Sequence, residues 1–147
     1  MYELLDQKNK MSFKIKKEQA VAWGDMDAFG HVNNTVYLKY FESARVKYFD
    51  DIPELAGFKG DEIPVLANIS CSFKKPVVYP DTLIMHVGVT KLGHASIKMS
   101  CEMISPKVGL AAIAECTIVL VNVEKGYSVR VPNEWRAAIE KIEGKTF

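Results

Sequence analysis

The stretch Thr35-Val36-Tyr37-Leu38-Lys39-Tyr40-Phe41-Glu42-Ser43-Ala44-Arg45-Val46-Lys47-Tyr48-Phe49-Asp50 has the spacing of an amphipathic helix. Val36, Tyr37, Tyr40, Phe41, Ala44 and Tyr48 recur at steps of three and four, which stacks them on one side, while Lys39, Glu42, Arg45 and Lys47 take polar positions. The apolar side is broad and aromatic, so an equally broad apolar surface has to cover it. Glu42 and Arg45, three apart, are placed for an ion pair along the helix. Upstream, Gly24 to Asn34 is dense in turn formers and ends on Asn34, a residue able to cap the helix that follows. Downstream, Pro53, Gly57 and Gly60 break the periodicity, so residues 51–62 read as an irregular crossover able to act as a flap.

Beyond the crossover the period changes to two. Ile63, Val65, Ala67, Ile69, Cys71 and Phe73 alternate with other residues, as do Ile97, Met99, Cys101 and Met103, which predicts strands whose faces differ in polarity. Thr82 to Leu92 and Ala95 to Ser105 are separated by Gly93-His94, which suits a two-residue hairpin with positive φ at the glycine. Leu110 to Val123 is long and largely apolar, as expected for a central strand covered on both faces. Pro132 opens a short terminal helix over Asn133 to Glu143. Residues 13 to 23 have strand composition, with Ile15, Val21 and Trp23 on one side, and residues 1 to 12 are polar enough for a loose leader. An aromatic-faced helix followed by antiparallel strands predicts a single α+β domain over residues 13–147, its antiparallel sheet curled around the long central helix.

The chain has 147 residues, of which 48% are hydrophobic and 25% charged, ordinary proportions for one globular domain. Nineteen Lys and Arg against eighteen Asp and Glu leave a formal charge of +1, so no overall field attracts nucleic acid or an anionic membrane. Apolar runs such as Leu110 to Ala114 and Ile118 to Val121 are far shorter than the roughly 20 residues that span a bilayer. Residues 1–10 carry acidic groups and no apolar segment, so no secretory signal is visible and a cytoplasmic address is expected. Cys71, Cys101 and Cys116 are widely spaced and form no Cys-x-x-Cys pair; they read as reduced, buried thiols. His86, in a strand, and His94, in a turn, lack companions for a ligand set, so no metal is expected.

Chemistry concentrates just ahead of the helix, where Asp25, Asp27, His31, Asn33 and Asn34 fall close together. A turn entering a helix brings such side chains to the free N–H groups of the first helical turn, which attract negative charge. A carboxylate that activates water, together with backbone donors aimed at a developing oxyanion, is the minimum equipment for acyl-transfer hydrolysis. Capping and turning the chain uses the same residue types. Composition leaves both roles open.

The run Trp23-Gly24-Asp25-Met26-Asp27-Ala28-Phe29-Gly30-His31-Val32-Asn33-Asn34-Thr35-Val36-Tyr37-Leu38-Lys39-Tyr40-Phe41-Glu42-Ser43-Ala44-Arg45 closely resembles the signature of hotdog-fold acyl-CoA thioesterases of the 4-hydroxybenzoyl-CoA thioesterase-like group. The order of elements is similar from Phe13 to Ile142, and Phe73-Lys74-Lys75-Pro76-Val77-Val78-Tyr79-Pro80-Asp81-Thr82-Leu83 looks like the family's strand and turn after the crossover. The resemblance implies a hotdog fold and hydrolysis of an acyl-CoA thioester to free acid and coenzyme A without a cofactor. It places the catalytic carboxylate on Asp27 and the backbone N–H that polarises the thioester carbonyl near Asn34. The His-Val-Asn-Asn run is similar to that of plant acyl-carrier-protein thioesterases and long-chain acyl-CoA thioesterases, where the histidine has been given a catalytic part; it falls on His31. Asp25 then remains a turn residue.

Coenzyme A carries phosphates that a near-neutral chain must meet with local cations, and Lys74 and Lys75 lead, with Lys91 and Arg130 behind them. Open sheet edges, and the resembling family's joining of two sheets edge to edge, imply a homodimer or homotetramer. The carrier of the acyl group is coenzyme A or acyl-carrier protein. Two rivals share these residues: an enoyl-thioester hydratase of the same fold and a non-catalytic acyl-CoA binding or sensing module.

Overall fold

A computed structural model describes residues 13–56 and 61–147. In chain order these form β1 (Ile15–Ala20), a 3-10 turn (Trp23–Asp25), α1 (Asn34–Asp51), β2 (Glu62–Phe73), β3 (Thr82–Leu92), β4 (Ser96–Ser105), β5 (Gly109–Asn122), β6 (Tyr127–Ser128) and α2 (Asn133–Glu143). The leader over residues 1–12 lies outside the described residues, as do residues 57–60 of the crossover.

The side chain of Asn33, not Asn34, caps α1 by accepting the Thr35 N–H at 2.9 Å, so the helix begins at Asn34. Its apolar side is buried as the spacing predicts, and Phe41, Ala44 and Tyr48 are fully enclosed. Burying a large apolar side chain of this kind contributes about 1.5–3 kcal/mol. Arg45 departs from expectation: it is buried with its guanidinium 4.5 Å above the Phe41 ring, and the ion pair on this helix is Lys47–Asp51 at 2.8 Å. The physical reason is the four-residue step from Phe41, which lays the long stem of Arg45 back over that ring and along apolar surface, away from Glu42.

Among the described residues the strands pair antiparallel in the order β1-β3-β4-β5-β2, with β6 added to β5. Alternate residues such as Leu83, Met85 and Val87 of β3, Met99, Cys101 and Met103 of β4, and Ala112, Ala114 and Cys116 of β5 join the aromatic side of α1 in one buried core. The sheet therefore curls around α1 as an antiparallel hotdog wrap. One end is closed by α2, which buries Ile139 and sends Glu143 inward. Glu143 Oε1 accepts from the Tyr48 hydroxyl at 2.8 Å and from the Val89 N–H at 3.0 Å, beside a bulge in β3.

Strict alternation in β2 does not keep its apolar residues on one face. A bulge between Leu66 and Asn68 shifts the register, so Ile63 and Val65 lie opposite Val121 and Val119 on the outer face, whereas Ile69, Cys71 and Phe73 lie opposite Cys116, Ala114 and Ala112 on the inner face. β5 is central in the sheet, yet its outer face is open at Glu115, correcting the expectation of cover on both faces. The β3–β4 connection is one residue longer than expected, and Gly93 has no positive φ. A Cβ at Gly93 would crowd the Ser96 hydroxyl oxygen, so a larger residue there requires that hydroxyl to rotate away. β1 stops at Ala20, before Trp23, because Asp25 accepts the Ala22 N–H at 2.9 Å and closes a turn that leaves Trp23 exposed. No helix among the described residues is long and apolar enough to cross a membrane.

Candidate active site

Ahead of α1 the chain doubles back on itself. Met26 and Val32 form a bridge, Gly30 N–H bonds the Asp27 carbonyl at 3.0 Å, and Asp27 N–H bonds the His31 carbonyl at 3.0 Å. The tight loop this closes ends on Gly30 at φ 81°, a left-handed conformation in which a side chain is strained. Val32 N–H to Val77 carbonyl and Asn33 N–H to Asp25 carbonyl, both 2.9 Å, pin the loop at its exit. Asp25 serves the turn, as expected, taking the Ala22 N–H and the Tyr40 hydroxyl. Burial, reinforced by the Asp25 carboxylate, pushes the Tyr40 phenol far above its ordinary range, so it remains a donor.

Asp27 is half-buried, and both of its carboxylate oxygens are engaged. Oδ1 accepts the Phe29 N–H at 2.9 Å, and Oδ2 accepts from Asn33 Nδ2 at 3.2 Å. The other end of the Asn33 amide accepts the Thr35 N–H at 2.9 Å and the Thr35 hydroxyl at 2.6 Å. Val36 N–H takes the Asn33 carbonyl, which leaves the Asn34 N–H without an acceptor among the described residues. One unpaired donor thus stands at the positive end of α1.

An open cleft of about 540 Å³ joins these groups, lined by Asp27, Phe29, His31, Val32, Asn34 and Tyr37 on one side and by Phe73, Lys74, Lys75 and Pro76 on the other. Asp27, His31 and Asn34, to which the resemblance gives the chemistry, and the leading phosphate candidates Lys74 and Lys75 all border it. His31 gives its carbonyl to the turn and is exposed. Lys74 and Lys75 are exposed, with their N–H groups fixed to the Ala111 carbonyl at 2.8 and 3.1 Å. Lys91 and Arg130 lie away from the cleft, and Arg130 donates to Asn133 at 2.7 Å.

Sequence reasoning passed over the apolar wall, where the rings of Tyr37 and Phe73 meet edge to face at 5.1 Å. Burial raises the Tyr37 phenol above its ordinary value. Phe73 had left a signal, being the last apolar residue of an alternating run before two lysines. Among the described residues no group of three or more His, Cys, Asp and Glu could hold a metal ion. A fixed carboxylate, an unpaired N–H, an aromatic wall and cations at the rim are parts suited to attack on a polarised acyl group.

Residues 21–139 match the Thioesterase-like superfamily, and the chain belongs to it. It is a thioester hydrolase with the hotdog fold. The long-chain acyl-CoA thioesterase FadM of Escherichia coli K12 is 24% identical over 119 residues, covering 80% of this chain and 90% of that protein. YsmA of Bacillus subtilis 168 is 28% identical over 90 residues, covering 61% of this chain and 60% of that protein. A solved thioesterase from Thermus thermophilus, complexed with coenzyme A and Zn, superposes with a TM-score of 0.79 at 29% identity, covering 92% of this chain and 98% of that one.

Proposed function

We propose that this chain hydrolyses an acyl-CoA thioester to a free carboxylic acid and coenzyme A. The observation that carries the proposal is the convergence of the Asp27 carboxylate and the unpaired Asn34 N–H on one cleft. The thioester carbonyl oxygen accepts the Asn34 N–H, which stabilises the charge that builds there as the carbonyl carbon is attacked. Asp27 either takes a proton from the attacking water, so that collapse of the adduct gives the acid and the thiolate of coenzyme A, or attacks the carbonyl itself and expels that thiolate. The second route leaves a mixed anhydride that water then hydrolyses to the acid and free Asp27. His31 orients water or substrate from the exposed rim, and the acyl group lies against Tyr37 and Phe73. Lys74 and Lys75 meet the phosphates of the carrier. FadM, named for acyl-CoA, and the Thermus enzyme, solved with coenzyme A, support that choice of carrier.

The active form we propose is a homodimer joined along β2. The edge strand β1 is short and carries Lys16, Lys17 and Glu18, the chemistry of a protected edge, whereas β2 has twelve residues. β2 exposes Ile63 and Val65 on its outer face and Leu66 and Phe73 on its inner face. Apolar residues on both faces belong to an interior strand, which β2 becomes when a second copy continues the sheet. Phe73 ends β2 and lines the cleft, so the seam passes beside the site.

Incubation with a panel of aliphatic and aromatic acyl-CoAs and a thiol reagent should give thiol release. Asp27→Asn should slow it by ~10²–10⁴ with little change in substrate binding. Saturable binding without thiol release, or loss of enoyl absorbance in its place, overturns the proposal in favour of a binding module or a hydratase.

A further inference from the structure

We propose that Asn33 is a positioning residue for the reaction, one side chain that sets the Asp27 carboxylate against the Asn34 N–H; this rests on the catalytic role given to Asp27 above. The Thr35 N–H is a donor only, so the end of the Asn33 amide facing it at 2.9 Å is the oxygen, and the end facing Asp27 Oδ2 at 3.2 Å is the NH₂. The amide therefore cannot turn over without losing both bonds. Its oxygen removes the Thr35 N–H from competition for an incoming oxyanion, leaving the Asn34 N–H as the donor at the cleft. Its nitrogen fixes the rotation of the Asp27 carboxyl group, whose other oxygen is held by Phe29 N–H at 2.9 Å. The backbone supports both tasks, since Asn33 N–H is bonded to the Asp25 carbonyl and Tyr40 holds the Asp25 side chain. The separation of carboxylate and N–H across the cleft is thus set within one residue rather than by two independent elements. A shift of about 1 Å in such a pair costs on the order of 10²-fold in rate.

The cap and the grip on Asp27 can be separated by substitution. Asn33→Asp keeps an oxygen that caps as well as asparagine, but turns the donor facing Asp27 into a like charge that favours the protonated form of Asp27. Asn33→Ser keeps a cap and removes the donor without adding charge. Circular dichroism and thermal unfolding of both should stay close to wild type. Asn33→Asp should lower kcat/KM by about 10–100-fold, with KM little changed, and move the acid limb of its pH profile upward by roughly one unit; Asn33→Ser should lose rate with a smaller displacement of that limb. In an Asp27→Asn background, Asn33→Asp should have little further effect, because the residue it acts through is already disabled.

An unchanged rate and pH limb in Asn33→Asp overturns the proposal, as does a rate loss that follows the loss of thermal stability while the limb stays fixed. An equal Asn33→Asp loss in the wild-type and Asp27→Asn backgrounds also overturns it. A wild-type rate in Asp27→Asn alone instead sinks the assignment of Asp27, which separates the two failures.

Discussion

Lys74 and Lys75 hold their charges at the mouth of the cleft while their backbones are tied to Ala111. Replacing both by Ala should raise KM for acyl-CoA several-fold more than for a truncated acyl thioester that lacks the nucleotide, because only the former carries the phosphates they meet. Equal effects on the two substrates, measured by steady-state kinetics, remove the phosphate contact. His31→Ala should cost less than Asp27→Asn, since His31 is exposed and only its carbonyl is bound into the turn. Matched losses in the two variants would make the histidine a partner in proton transfer. The approach of these side chains was legible because turn formers abut a strongly periodic helix, which fixes where the loop must deliver them. The division of labour between Asn33 and Asn34 was not, since either asparagine can cap a helix in sequence terms. The turn closed at Gly30 and the tie from Asn33 N–H to Asp25 decide it, presenting Asn33's side chain to Thr35 and leaving Asn34 one step into the helix.

Helix and strand types were largely visible in hydrophobic period, but register was not. A bulge adds a residue without disturbing the alternation, so β2 reads as a perfect two-residue repeat although its apolar set changes face between Leu66 and Asn68. The long-range contact of α2 was likewise invisible, because Glu143 looks like any acidic residue at the end of a terminal helix. Its single Oε1 accepts two donors, the Tyr48 hydroxyl and the Val89 N–H. Tyr48 is fully buried, and burial followed by the nearby Glu143 charge raises its phenol far beyond the usual range, so it stays a donor. Glu143→Ala leaves both donors without that acceptor and should lower stability in urea unfolding by about 1–3 kcal/mol per donor. Glu143→Gln retains an acceptor oxygen and should recover most of the loss. An Ala variant as stable as wild type would show that α2 closes the core through its apolar side alone.

At the scale of the molecule, light scattering should give twice the 16.5 kDa chain mass, and lysines at both Ile63 and Val65 should bring the mass to that of one chain while circular dichroism is kept. A wild-type monomer at micromolar concentration contradicts assembly along β2. Stability should also depend on alkali in one direction. Burial raises the phenols of Tyr37, Tyr40 and Tyr48 above their ordinary 10.0 and the thiols of Cys71, Cys101 and Cys116 above 9.0. A folded value above the unfolded one means that the native state holds the proton more tightly, so this contribution is complete below the unfolded values and is lost progressively as the pH rises past them toward the folded ones. The melting temperature should fall progressively above about pH 9; a flat profile to pH 11 would mean that these groups ionise without loss of the fold. The strand pairing that hides the sulfurs has one more consequence. Cys101 and Cys116 are 0% and 4% exposed, so an alkylating reagent reaches them only when the wrap parts, and their labelling rate is a clock for that opening. An acyl-CoA that binds across the cleft should slow the clock at both sulfurs together, reporting occupancy of the site from side chains that never touch the substrate.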